Sequence, residues 1–250
     1  MSWNMLLGII SCTALLIPVA LLVLFRLAAY RTFPLLLAYF SLGLVDNLTA
    51  NGFLNPGGSF HYYLAVTNNL VEMPLLVLFL TYFTKNARLL KFMRISVGVY
   101  LLYEIVVIAI LGYKSVILTY TIGPGLVITF ALSLILFIKQ AKIAITNHKT
   151  TGKALILASF LFSTGCNFII YIMYYVVRTS YISDSYLIYF LVTTFSSLLI
   201  SIGILIERKR VQRLNEIQIT RKELSSVYGP DKPVVRLTPF VSEIPQEQWN

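Results

Sequence analysis

Seven apolar stretches alternate along the chain with short polar ones. They run roughly from Asn4 to Phe25, Phe33 to Leu54, Tyr62 to Phe83, Ile95 to Gly112, Ile117 to Ile138, Ala154 to Val176 and Tyr186 to Leu205. Each approaches the ~20 residues that a helix needs to cross the hydrocarbon of a bilayer. The pattern therefore predicts an all-α integral membrane protein with seven transmembrane helices. The first stretch has no basic residues before it and no small-residue cleavage pattern after it, so it is expected to stay as a span rather than act as a signal peptide. The fifth contains Gly123-Pro124-Gly125, where a missing backbone donor and added backbone freedom predict a kink.

Polar residues inside these stretches are the exceptions that carry information. Asp46, Asn47 and Asn51 sit in the second, and Asn68, Asn69 and Glu72 in the third, across the linker from Asn55 to His61. A charged side chain near the bilayer centre costs about 2.5–3.5 kcal/mol on the insertion scale. Glu104 in the fourth span and Asn167 in the sixth fall at similar depth, ~12–15 Å from the outer ends at ~1.5 Å per residue. Thr193, Thr194 and the Gly-Pro-Gly segment belong to the same layer. Asn47 and Asn51 are four residues apart, as are Asn68 and Glu72, so each pair shares one helical stripe. Spans 2 and 3 are expected to pack antiparallel with these stripes together, so that asparagine amides donate to the carboxylates.

Charge then fixes an orientation. Of the 20 lysines and arginines, all but Lys114 and Arg178 fall on one side of a seven-span arrangement. The excess of basic residues in cytoplasmic segments places the N-terminus outside and the C-terminus in the cytoplasm, in the cell membrane. Tyr62, Tyr63, Tyr113, Tyr175, Tyr181 and Tyr186, with Trp3, form the expected outer interfacial belt. With 58% hydrophobic residues, 12% charged and a mean hydropathy of +0.80, the chain does not have the composition of a soluble domain. The net charge of +10 thus reflects inner loops and tail rather than nucleic-acid binding. Cys12 and Cys166 fall within spans and behave as small apolar residues.

The organisation that follows is a transmembrane domain over residues 1–206, a basic amphipathic cytoplasmic helix over 207–228, and an extended or disordered tail over 229–250. Val211, Leu214, Ile217 and Leu224 space the apolar side of that helix. It is expected to lie against anionic lipid, or to serve a cytoplasmic partner or homo-oligomer. No internal three-plus-three duplication of the kind common in transporters is visible.

Several chemistries are excluded. No span contains a lysine for a retinal Schiff base. His61 and His148, read as loop residues, are too few for a catalytic zinc site, and no histidine in the membrane could activate a serine. No catalytic residue, metal or cofactor is assigned. Asn47-Leu48-Thr49 matches a glycosylation acceptor but lies within a span.

The candidate ligand- or proton-binding residues are Asp46, Asn47, Asn51, Asn68, Asn69, Glu72, Glu104 and Asn167. Without a lysine or arginine in any span, the carboxyls among them suit a proton in transit, a metal ion, or an amine-bearing ligand. Hydrogen bonds that merely glue helices together are the competing explanation. The leading expectation is a receptor-like or sensory protein with a small or lipidic ligand in an outer-half cavity lined by spans 2, 3, 4 and 6. A proton-coupled transporter and an intramembrane lipid-modifying enzyme with paired carboxylates are the alternatives.

Overall fold

In lipid, backbone polar groups must be satisfied within the chain itself, which leaves helices as the natural form of long apolar stretches. The computed structural model describes residues 3–54, 57, 59–114, 116–147, 150–173 and 182–228, and among these there is no strand. The helices are α1 (Trp3–Leu24), α2 (Phe33–Ala50), α3 (Phe60–Leu80), α4 (Ala87–Leu111), α5 (Val116–Asn147), α6 (Thr151–Tyr171) and α7 (Ile182–Tyr228), with 3-10 turns at Leu27–Ala29 and Thr81–Phe83. Seven helices are long and apolar enough to cross a membrane. The chain reads as a multi-pass membrane protein. Tyr175, Arg178, Tyr181 and the tail from Gly229 lie outside the described residues, as do the side chains of Trp3 and Tyr186.

The chain divides into two units, Met1–Lys209 and Arg210–Asn250. In the first, α2 lies beside α1 and α3, α5 beside α3, α4 and α6. Helices α6 and α7 meet where Gly152 faces Gly203, and Ser159 Oγ donates to the Ser196 carbonyl at 2.7 Å. α4 turns Val99, Leu102, Ile105 and Ile110 outward. In the second unit, Ile217, Ile219 and Leu224 are exposed.

One helix differs from expectation for a local reason. α2 stops at Ala50, four residues short of the predicted end, because Asn51 caps it and Gly52 takes a positive φ of 75°. Asn-Gly is a stop signal of the kind that ends helices in the left-handed conformation. Asp46 accordingly sits about 6 Å from the C-terminal end of α2, nearer that end than the ~12 Å read from hydropathy.

α5, in contrast, continues through Pro124 as one helix. Proline has no N–H for the carbonyl four residues earlier, which is that of Tyr120. Tyr103 on α4 supplies the replacement, its hydroxyl donating to Tyr120 O at 3.1 Å. Flanking carbonyls are covered as well: Tyr171 donates to Thr119 O at 2.8 Å and Tyr100 to Thr121 O at 3.0 Å. The neighbouring glycines admit these hydroxyls, since a Cβ on Gly123 would meet Tyr171 Oη at 2.7 Å and one on Gly125 would meet Tyr100 Oη at 2.8 Å. Tyr103→Phe should therefore lower stability by about 1–3 kcal/mol, because on this exposed, lipid-facing side of the bundle no water replaces the lost donor to the carbonyl. In a Pro124→Ala background, where an amide returns to that carbonyl, thermal denaturation should show the penalty reduced by half or more.

Candidate functional site

A cavity of about 1010 Å³ opens among α1, α2, α3, α5, α6 and α7. Asp46, Asn47, Asn51, Asn68, Asn69, Glu72 and Asn167 all line it. Glu104 does not. It is 5% exposed on α4, and its Oε1 finds no hydrogen-bond partner among the described residues. No α4 residue reaches the cavity, while α1, α5 and α7 each contribute lining. The expected set of spans 2, 3, 4 and 6 is corrected in that respect, because α3 and α5 flank α4 and its outward face is exposed.

The hydrogen bonds divide the polar residues into two groups. Asn68 Nδ2 on α3 donates to Asp46 Oδ2 on α2 at 3.3 Å, which is the amide-to-carboxylate contact that the facing stripes predict. Asn47 and Asn51, however, are engaged on the α1 side. Asn47 Nδ2 donates to Ser11 Oγ at 3.3 Å, and Asn51 Nδ2 donates to Asn47 Oδ1 at 2.6 Å. A Cβ on Gly8 would run into the Asn51 amide, so the small residue on α1 makes room for it. Asn69 Nδ2 turns back to the Ala65 carbonyl at 2.8 Å.

Glu72 takes its hydrogen bond from a residue outside the expected polar set. Tyr39 donates from α2 to Glu72 Oε1 at 3.3 Å. The two carboxylates thus hold separate donors rather than each other. Asp46 Oδ1 is buried and has no partner among the described residues. Ser197 on α7 lines the same cavity, is 1% exposed, and its Oγ likewise lacks a partner there.

His61 occupies the first turn of α3 rather than a loop, lines the cavity, and lies with Nδ1 3.2 Å from Thr49 Oγ1. Tyr39, Tyr171 and Tyr189 add hydroxyls, and Phe40 and Phe190 add two further rings. Their spacing carries a signal. Tyr39, Gly43, Asp46 and Ala50 follow helical periodicity on α2, as do Tyr189, Thr193, Ser196 and Ser197 on α7, and all of these line the cavity. Among the described residues no three His, Cys, Asp or Glu side chains group as metal ligands.

A second polar cluster lies at the other end of the bundle. Tyr82 donates to Glu207 Oε1 at 2.6 Å, and Lys153 Nζ stands 4.3 Å from the Tyr82 ring centroid. Gln140 Nε2 donates to the Phe83 carbonyl at 2.8 Å. Glu207 and Lys153 are only 1% and 9% exposed, whereas the sequence reading assigned one to the tail and the other to a basic loop.

Aromatic rings connect the two polar regions. Tyr39 packs on Phe160 with centroids 6.2 Å apart, Phe160 on Phe79 at 5.7 Å, and Phe79 on Tyr82 at 6.4 Å. Phe33 and Phe83 buttress Phe79 at 5.8 and 5.5 Å. Compared with known protein families, with curated proteins and with solved structures, the chain matches none.

Proposed function

We propose that this chain is a receptor-like or sensory protein of the cell membrane, with its N-terminus outside and its C-terminus cytoplasmic, that binds a small or lipidic ligand in the intramembrane cavity. The observation that carries the reading is the convergence of Asp46, Asn68, Glu72 and Asn167 from α2, α3 and α6 on one space large enough for a ligand. Binding cavities in helical bundles characteristically combine apolar lining with a few placed polar groups. Helix-gluing side chains would be expected to satisfy one another, but Asp46 Oδ1 and Ser197 Oγ have no partner among the described residues.

The aromatic series from Tyr39 to Tyr82 favours a sensor over a carrier. Glu72 holds Tyr39 at one end, and Glu207 on α7 holds Tyr82 at the other. A ligand that competes for Glu72 would release Tyr39 and bias the packing beneath it. Contiguity alone is a spatial argument, and the physical requirement is an element with two packings that the ligand distinguishes. A carrier, by contrast, needs an inner exit, and that end is filled by buried Phe33, Phe79, Phe83 and Met93. Membrane lipids, and a homo-oligomer or cytoplasmic partner at the tail, would receive the output.

Mass spectrometry of extracts from the purified protein tests the reading. Glu72→Gln keeps an acceptor for Tyr39 and removes the charge, so the fold should survive. A stoichiometric molecule in the wild type, depleted tenfold or more in the variant, is the expected result. Uptake of substrate by sealed vesicles would instead favour the carrier, and lipid turnover lost in Asp46→Asn or Glu72→Gln would favour the enzyme.

A further inference from the structure

We infer that the ligand of this cavity is an organic ammonium ion on an apolar chain. The inference rests on the ligand-binding reading above and gives it a chemical class. It starts from the charges and rings that surround the space. Asp46 and Glu72 line the cavity, and among the described residues no lysine or arginine does, which leaves His61 as the described lining group able to carry positive charge. That histidine faces Thr49.

Two atoms of the lining are left wanting. Asp46 Oδ2 already accepts from Asn68, while Oδ1 is unpartnered among the described residues. Ser197 Oγ, on a side chain 1% exposed, is in the same condition. A buried hydroxyl and a buried carboxylate oxygen without partners incur a desolvation cost that a ligand would remove. An ammonium group offers up to three N–H donors and a positive charge, whereas a carboxylate ligand offers neither and would face Asp46 and Glu72.

The remaining lining suits the same class. Tyr39, Tyr171, Tyr189, Phe40 and Phe190 surround the polar groups with five aromatic rings, whose faces attract cations, most strongly where water is excluded. Leu15, Ile122, Leu126 and Ile170 supply apolar wall from α1, α5 and α6. A small polar amine would leave that wall uncovered. An amine with an aliphatic chain covers it and places its charged head among the acids and rings.

The test compares four probes on the full-length protein in neutral-lipid nanodiscs: octylammonium, octanol, octanoate and ethylammonium, each titrated against the thermal-unfolding midpoint. Octylammonium should raise the midpoint with an apparent affinity at least tenfold above each of the others. Asp46→Asn and Glu72→Gln, made separately, should cut that preference over octanol to threefold or less in at least one variant. Because the comparison among probes is made first on the wild type, a variant that fails to fold leaves the result standing.

Octanol or octanoate matching octylammonium in the wild type overturns the cationic class and leaves the ligand cavity in place. Ethylammonium binding as well as octylammonium overturns the apolar chain. Preference for octylammonium persisting in both carboxylate variants shows recognition by the membrane rather than by this site, and overturns the assignment. No shift from any probe overturns both the class and the cavity reading beneath it.

Discussion

Gly203→Leu is expected to prevent the helical bundle from closing. Gly203 on α7 faces the first two turns of α6, where an added Cβ would stand 2.6 Å from Ile156 Cγ1 and 3.2 Å from the Gly152 carbonyl. From the other side, a Cβ on Gly152 would meet Glu207 N at 3.0 Å and Gly203 O at 3.1 Å. Several of these atoms are backbone, so a change of Ile156 rotamer relieves only part of the contact, and the helices must separate. Small residues that let backbones approach are a principal source of helix association in lipid, where apolar burial from water is absent. Overpacking a well-packed interior costs typically about 1–3 kcal/mol, and a leucine at this crossing belongs at or above the top of that range. Separation would also pull Glu207 away from Tyr82. Size-exclusion chromatography should show loss of the monodisperse species, and Gly203→Ala should fall between. Ile156→Ala, by removing the nearer side-chain atom, should restore part of the stability of Gly203→Ala. A wild-type midpoint for Gly203→Leu would mean that α6 and α7 do not meet here as closely as described.

That crossing also explains what the sequence could not convey. Seven helices were legible because each apolar stretch approaches the length of a span, a property of local composition alone. Grouping Asp46 with Asn68 was legible too, because two spans joined by a short linker must run side by side. Glu207 was not. A glutamate at the end of an apolar run followed by Arg208, Lys209 and Arg210 has the pattern of a solvated flank. It is buried because Gly152 and Gly203 bring α6 and α7 together, and no local pattern announces which small residues will meet. Asn47 and Asn51 of α2 hydrogen-bond toward α1 rather than the expected α3 for a related reason. Their stripe was correctly read, but the partner, Ser11 on α1, is a common residue whose position becomes significant only in three dimensions. Tyr39 is inconspicuous on chemical grounds: tyrosine is expected at membrane interfaces, so its place seven residues from Asp46 on the same face of α2 does not by itself mark a site. The premature end of α2 was available in Asn51-Gly52 and was outweighed by the apolar Phe53-Leu54 beyond it.

Phe79→Ala is expected to weaken the bundle and, more informatively, to separate the two polar regions. Phe79 is fully buried and packs against Phe33, Phe83, Phe160 and Tyr82. In soluble cores Phe→Ala costs about 3–5 kcal/mol, part of it transfer from water and part the cavity left behind. Within a bilayer the first part is largely missing because lipid chains are themselves apolar. The loss should therefore be nearer 2–3 kcal/mol, and thermal denaturation in lipid should place it there. Phe79→Leu, which leaves a smaller void, should cost less than half as much. The functional consequence can be read apart from stability by placing a fluorescent or spin label near Glu207 and adding whichever ligand the cavity retains. If packing beneath Tyr39 carries the effect of binding, the label should respond in the wild type and in Phe79→Leu, and lose at least half its response in Phe79→Ala at saturating ligand. Equal responses in all three would assign the aromatic series to stability alone, and a sensor would then have to transmit through α7 itself, where Tyr189 and Thr193 already line the cavity.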